Sequence, residues 1–104
     1  MFNEVQIRFA DDELLRLYFD EGYYPKRMDR ALAKAYRKKV AILEAAENEL
    51  ALRQLRSLNF KKLKGKRAGQ RSIRVNDQWR LIFTFLDEES SRIALLIEIV
   101  DYHR

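Results

Sequence analysis

The sequence predicts an α+β fold in which helices pack against one face of a largely antiparallel sheet. Three observations carry this reading. Residues 5–9 alternate apolar and polar side chains, residues 11–58 repeat apolar side chains at helical spacing, and residues 73–102 hold three apolar runs divided by short polar turns. At 104 residues the chain has room for a single domain, 1–104.

The elements follow in order. Val5, Ile7 and Phe9 alternate with Gln6 and Arg8, which predicts a short strand with one apolar face. Asp11 can cap a helix whose first turn holds Asp12 and Glu13 near the positive end of its dipole. Leu14, Leu15, Leu17 and Tyr18 form its apolar side, and Gly22 ends it. A second helix is expected from Pro25 to Glu47, with Met28, Leu32, Ala35, Ile42 and Ala46 at helical spacing. Lys34, Arg37, Lys38 and Lys39 lie around its exposed side. Glu49 to Leu58 continues as a short helical piece with Leu52, Leu55 and Leu58 three apart. The two main helices are expected to form a hairpin on the sheet, and their stripes read as core. Lys61 to Gly69 is a loop containing Gly65 and Gly69. Ile73 and Val75 begin a strand, and Asn76-Asp77 marks a tight turn. Gln78 to Leu86 is the next strand, with Trp79, Leu81, Phe83 and Phe85 on one face. Arg92 to Tyr102 is the last, apolar on both faces and therefore expected inside the sheet.

Composition narrows the function. Cysteine is absent, so neither disulfides nor thiol chemistry are available. With one histidine, a zinc site would need several carboxylates. No cofactor or metal is expected. No run of 18 apolar residues exists, so no membrane partner is expected, and the acids near the N-terminus argue against a secretory signal. A reducing cytoplasm is the natural setting. The charge is uneven. Residues 53–80 hold ten bases and one acid, a net of +9, while the remainder holds 11 bases and 15 acids, a net of −4. Such a block suggests a face that binds a polyanion, against the plainer reading of a solvated loop.

Three clusters converge if the hairpins pair. They are the loop Lys61-Lys62-Leu63-Lys64-Gly65, the arginines Arg71, Arg74 and Arg80, and the terminal Asp101-Tyr102-His103. RNA can be cut without metal because its 2′-hydroxyl attacks the adjacent phosphate. Arginines stabilise the added charge on phosphorus. A histidine moves protons near neutral pH, and a tyrosine stacks on a base or donates to a phosphate. Each residue also has a plainer reading. His103 is a terminal exposed side chain, Asp101 blunts a strand end, Tyr102 covers the core edge, Trp79 is core, and Lys64 and Arg67 bind phosphate or face water. The residues alone reach a small α+β domain with a basic face and an acid–base group.

The stretch LKGKRAGQ at 63–70, running into RSIRVNDQWRLIF at 71–83, and EIVDYH at 98–103 resemble HigB-type toxins, also called plasmid maintenance killer proteins, of the RelE/ParE superfamily. The resemblance covers most of the C-terminal half, and the N-terminal helices match in layout. It implies a RelE-like fold, a helical hairpin on a curved antiparallel sheet. It also implies an endoribonuclease that cuts mRNA in the ribosomal A site beside 16S rRNA, restrained by a HigA-like helix-turn-helix antitoxin. Asp101, Tyr102 and His103 match the family's terminal acid-tyrosine-histidine triplet. A position that holds a histidine in at least one member holds Lys61 here, leaving the general base open. The resemblance assigns proton transfer to His103, orientation to Asp101, and base or phosphate positioning to Tyr102. Arg74 and Arg80 are expected to stabilise the transition state, and Lys61 to act at the 2′-oxygen or the phosphate. Lys62, Lys64, Lys66, Arg67 and Arg71 are expected to bind RNA. Three alternatives stand beside this one: a ParE-like gyrase inhibitor, a non-catalytic RNA-binding module, and a toxin relic that has lost activity yet still binds its antitoxin.

Overall fold

The computed structural model describes residues 5–88 and 91–101. The first strand, β1 (Val5–Phe9), leads into α1 (Asp12–Phe19). Asp11 caps α1 as expected, its Oδ1 accepting the Leu14 N–H at 2.8 Å. Gly22 does not end this helix. Asp20 does, its N–H donating to the Arg16 carbonyl, and its carboxylate then accepts the Gly22 N–H at 3.0 Å.

The second helix, α2 (Arg30–Ala45), starts five residues after Pro25. Asp29 is its cap, accepting the Leu32 N–H at 2.7 Å, while the Pro25 carbonyl belongs to the preceding turn and accepts the Met28 N–H. A carboxylate that satisfies an orphan helix N–H outweighs the preference of proline for the first turn. The buried seam of α2 is Leu32, Ala33, Tyr36, Val40 and Leu43, with Ala35 and Ile42 packed at its margin. Two side chains of α2 bind carbonyls of α1. The Tyr36 hydroxyl donates to Leu14 at 2.7 Å, and the Arg37 Nε donates to Leu17 at 2.8 Å. These contacts hold the helices as the expected hairpin. Burial first, then the nearby Asp11 charge and Tyr18, pushes the Tyr36 phenol pKa far above its ordinary value.

A third helix, α3 (Glu49–Gln54), is capped by Asn48, and the chain tightens into a 3-10 turn at Arg56–Leu58. Leu52 and Leu58 are buried, but Leu55 is 44% exposed. Their three-residue spacing predicts one shared face only within a continuous helix, and the helix stops at Gln54.

The sheet contains β1, β2 (Lys61–Lys62), β3 (Arg71–Arg74), β4 (Trp79–Glu88) and β5 (Ser91–Asp101), in the order β1-β5-β4-β3-β2. The segment expected as loop from Lys61 thus begins with a two-residue edge strand. The β2–β3, β3–β4 and β4–β5 pairings are antiparallel, and β1 runs parallel to β5. β5 lies inside the sheet as its apolar run predicted. Ile73, Leu81, Phe83, Ala94, Leu96 and Ile99 join the helix seams in one core, and Trp79 and Phe85 pack against it.

Period-two alternation breaks once in β5. Ile82 pairs Glu98 and Phe83 pairs Leu96, so Ile97 is the extra residue of a bulge. The bulge turns both Leu96 and Ile99 into the core although they are three residues apart. No helix among the described residues is long and apolar enough to cross a membrane.

Candidate functional site

Paired residues across a sheet point to the same side. Since Ile73, Leu81 and Ile99 face the helices, their neighbours face away. One outward row is Arg74–Arg80–Val100, and the next is Lys61–Ser72–Ile82–Glu98. Arg74 and Arg80 are therefore direct cross-strand partners. The conjunction expected of the two arginines is present, and Lys61 sits in the adjoining row.

The arginines of this face differ in character. Arg80 is 4% exposed. It lies across β3 with its Nε donating to the Ser72 hydroxyl at 2.8 Å, and its Nη2 donates to the carbonyls of Ser72 and Asn59. Asn59 has φ 45° and immediately precedes Phe60 and β2, so Arg80 fixes the backbone that delivers Lys61. Arg74 is half-buried and bonds the turn beyond its own strand, donating to the Asn76 carbonyl and to the Asp77 carboxylate. Arg67 comes from the loop between β2 and β3. It donates to the Gln70 side chain at 3.0 Å and to the Glu98 carboxylate, so the loop reaches across β3 and β4 to β5.

That loop owes its shape to two glycines with positive φ, Gly65 at 66° and Gly69 at 89°, a region other residues rarely occupy. Between them the 3-10 turn Gly65–Arg67 presents Lys64 and Lys66 to solvent beside Arg67.

Lys62 and Arg71 are not brought to this face. They pair with one another across β2 and β3 on the helix side, and both bind Glu49 of α3. The Arg71 Nε donates to Glu49 at 2.7 Å, and Lys62 stands 3.6 Å from it. Arg53 closes the cluster at 3.4 Å. Burial alone would raise the Glu49 pKa. The Arg71 hydrogen bond and charge, with Lys62 and Arg53, outweigh burial and hold it below the ordinary carboxylate value. Three of the ten bases in the charged block thus neutralise one acid from outside it.

Asp101 pairs with Trp79, one position beyond the Arg80–Val100 pair, and accepts from the Gln78 amide at 2.7 Å. Asp101, the last described residue, thus lies at the end of the sheet that carries Arg74 and Arg80. Tyr102 and His103 lie outside the described residues, as does Arg104. Among the described residues no group of three or more His, Cys, Asp or Glu is placed to hold a metal ion.

Residue-level reading of the sequence passed over three participants. Glu98 is the one charged residue in the apolar run Ile93–Val100, and that interruption was the available signal. Ser72 gave none. Lys39 of α2 counted only as an exposed base, yet it is half-buried. Burial, then the charges of Arg74 and Lys38, lowers its pKa from the usual lysine value.

Comparison with known proteins agrees with this architecture. The family described as the RelE-like toxin of the type II toxin-antitoxin system HigB matches residues 7–103. Toxin HigB-1 of Vibrio cholerae serotype O1 (strain ATCC 39315 / El Tor Inaba N16961) is 36% identical over 81 residues, covering 78% of this chain and 84% of the relative. The chain belongs to the HigB-like toxin family. Similar folds occur in the YoeB/ParE toxin from Agrobacterium tumefaciens, with TM-score 0.58, 13% identity and coverage of 93% of this chain and 98% of that one. YafQ from E. coli strain BL21(DE3) gives TM-score 0.56 at 17% identity, with 96% of each chain covered. The E. coli DinJ-YafQ toxin-antitoxin complex gives TM-score 0.52 at 15% identity, covering 96% of this chain and 94% of that one. The fold expected from the sequence is the one observed, and the chain is a type II toxin of the HigB/RelE kind.

Proposed function

We propose that this toxin is a ribosome-dependent mRNA endoribonuclease acting in the cytoplasm. The observation that carries the reading is the single outward sheet face holding Lys61, Arg67, Arg74 and Arg80, with Asp101 one pair beyond Arg80–Val100. Cleavage proceeds by attack of the 2′-oxygen on the adjacent phosphorus. Arg74 and Arg67 offer guanidinium groups to the phosphate oxygens once RNA displaces their present partners. Arg80 is a positioning residue, its Nε and Nη2 donating to Ser72 and Asn59. Lys61 contacts the phosphate or the 2′-oxygen from β2. His103 supplies the proton-transfer group, Asp101 orients it, and Tyr102 positions a base. Lys64 and Lys66 add backbone contacts to mRNA and 16S rRNA. Lys62 and Arg71 act indirectly, by holding the hairpin against α3. Membership of a toxin–antitoxin family supports a neutralising partner, a HigA-like helix-turn-helix antitoxin.

The test is 5′-end mapping of transcripts after induction, together with growth arrest. The wild type is expected to generate new in-frame ends within open reading frames. His103→Ala at equal abundance is expected to lose about 10²-fold or more, the scale of a positioned acid or base. Growth arrest with intact transcripts and inhibited gyrase would overturn the reading in favour of a gyrase poison.

A further inference from the structure

We propose that a basic cleft on the helical layer is a second RNA-binding surface, which grips the phosphate backbone of base-paired RNA rather than the strand that is cut. The inference rests on the ribosome-dependent reading above for where such RNA is met, and on none of its cleavage chemistry. The cleft, of about 570 Å³, is lined by Glu21, Tyr24, Arg30, Lys34, Arg37 and Lys38. Arg30, Lys34 and Lys38 are exposed and follow one another every four residues along α2, on the side away from its buried seam. They span a rise of about 12 Å. Like charges four apart on a helix repel and destabilise it. The one acid within α2, Glu44, accepts from the Tyr18 hydroxyl instead of offsetting them. Among the described residues Lys34 and Lys38 make no ion pair. The stripe therefore works against the helix in the isolated chain, and a bound polyanion relieves it.

Tyr24 decides between kinds of polyanion. Arg30 and Arg37 stand 5.3 and 5.6 Å from its ring centroid. Surfaces that bind single strands keep aromatic rings bare for base stacking. Here the ring holds guanidinium groups instead. Arg37 is fixed further by α1, its Nε donating to the Leu17 carbonyl at 2.8 Å and its Nη2 to the Asp20 carbonyl at 3.1 Å. Cations held in place, with no bare ring for a base, suit helical RNA, whose bases are paired inside and whose phosphates lie outside. An acidic protein segment would also need apolar anchors, and among the described residues no aliphatic side chain lines the cleft. The cleft and the Arg74–Arg80 row lie on opposite sides of the core, since that row faces away from the helices. The molecule measures 39 × 29 × 25 Å, so a short strand on the sheet does not also fill the cleft. The toxin is thus built to sit between two stretches of RNA, unpaired on the sheet side and paired on the helical side.

Binding to a short RNA duplex, to a short unpaired oligonucleotide and to purified small ribosomal subunits tests this. Lys34→Gln combined with Lys38→Gln is expected to weaken duplex and subunit binding about tenfold or more at about 0.1 M salt, and to reduce the duplex salt slope by about 1.8, or about 0.9 per lysine. The same variant is expected to bind the unpaired oligonucleotide within about twofold of the wild type. Glu21→Gln, which removes the acid of the cleft, is expected to tighten duplex binding. Arg27→Gln combined with Arg56→Gln removes equal charge from exposed positions that do not line the cleft, and is expected to leave duplex binding nearly unchanged. In single-turnover cleavage on mRNA-programmed ribosomes, the Lys34 and Lys38 variant is expected to raise the half-saturating toxin concentration at an unchanged saturating rate. Circular dichroism and the urea midpoint confirm that each variant is folded. Unchanged duplex affinity in that variant, or an equal loss from the Arg27 and Arg56 pair, overturns the assignment. Displacement of the duplex by poly-glutamate at equal charge concentration also overturns it, in favour of an acidic protein segment. A wild type that binds duplex through the cleft yet cuts no programmed transcript upholds this surface and sinks the nuclease reading alone, so the two failures are distinguishable.

Discussion

Burying a guanidinium is costly unless its N–H groups find acceptors. Arg80 finds them for its Nε and Nη2, in the Ser72 hydroxyl and in the carbonyls of Ser72 and Asn59. Its reach matters more than its charge. It crosses β3 and secures the left-handed Asn59, from which Phe60 and the β2 edge strand follow. Arg80→Ala strips these acceptors inside the protein and is expected to cost about 2–4 kcal/mol, the scale of one or two unsatisfied buried groups. A urea midpoint that falls at constant m would show it, and an unchanged midpoint would deny the bracing role. The sequence marked Arg80 as a cation near Arg74 but did not reveal that it is buried. A guanidinium in a strand reads the same whether it points to solvent or lies flat across its neighbour.

At the scale of elements, the β2–β3 hairpin is tied to α3 through Glu49. Arg71, Lys62 and Arg53 gather on that one carboxylate from two elements besides its own turn of helix. Its folded pKa is depressed below the unfolded value of about 4.3. The sign follows from linkage. The contribution is complete above the unfolded value and is lost as pH falls through the folded one. Wild-type stability is thus expected to drop on acidification below about pH 5, and Glu49→Gln to flatten that drop while lowering stability at neutral pH. Urea titrations at pH 3.5 to 7 measure both, and parallel curves for the two proteins would remove Glu49 from the account. Periodicity located α3, but a cluster joining residues 49, 53, 62 and 71 depends on β2 pairing with β3 and then meeting the helix. No local pattern records that meeting.

For the molecule as a whole, the basic block sorts into two sides of the sheet. Lys62 and Arg71 neutralise Glu49 beneath it, while Lys61, Lys64, Lys66 and Arg67 belong to the outward side and its loop. A second group of bases lines a cleft on the helical layer. There Arg30 and Arg37 stand over the Tyr24 ring with Lys34 and Lys38 alongside. The sorting predicts unequal salt dependence. For binding to single-stranded RNA, removing both Lys64 and Lys66 is expected to reduce the slope of log affinity against log salt by about 1.4, or about 0.7 per lysine. Lys62→Ala is expected to leave the slope nearly unchanged. Fluorescence anisotropy at several salt concentrations decides it, and equal effects of all three lysines would contradict the division.

The fold class, the helical hairpin and the three C-terminal strands followed from apolar spacing, because a core face must repeat every 3.6 or every two residues. The charged block followed from counting. The orientation of that block did not, because one extra residue in a strand reverses everything after it. Counted by twos from Leu96, Glu98 belongs to the core; the bulge at Ile97 reverses that count and puts it beside Arg67. Strand pairing and the packing of α3 made that choice, since they involve residues far apart in the chain whose contacts form only when the sheet closes against its helices.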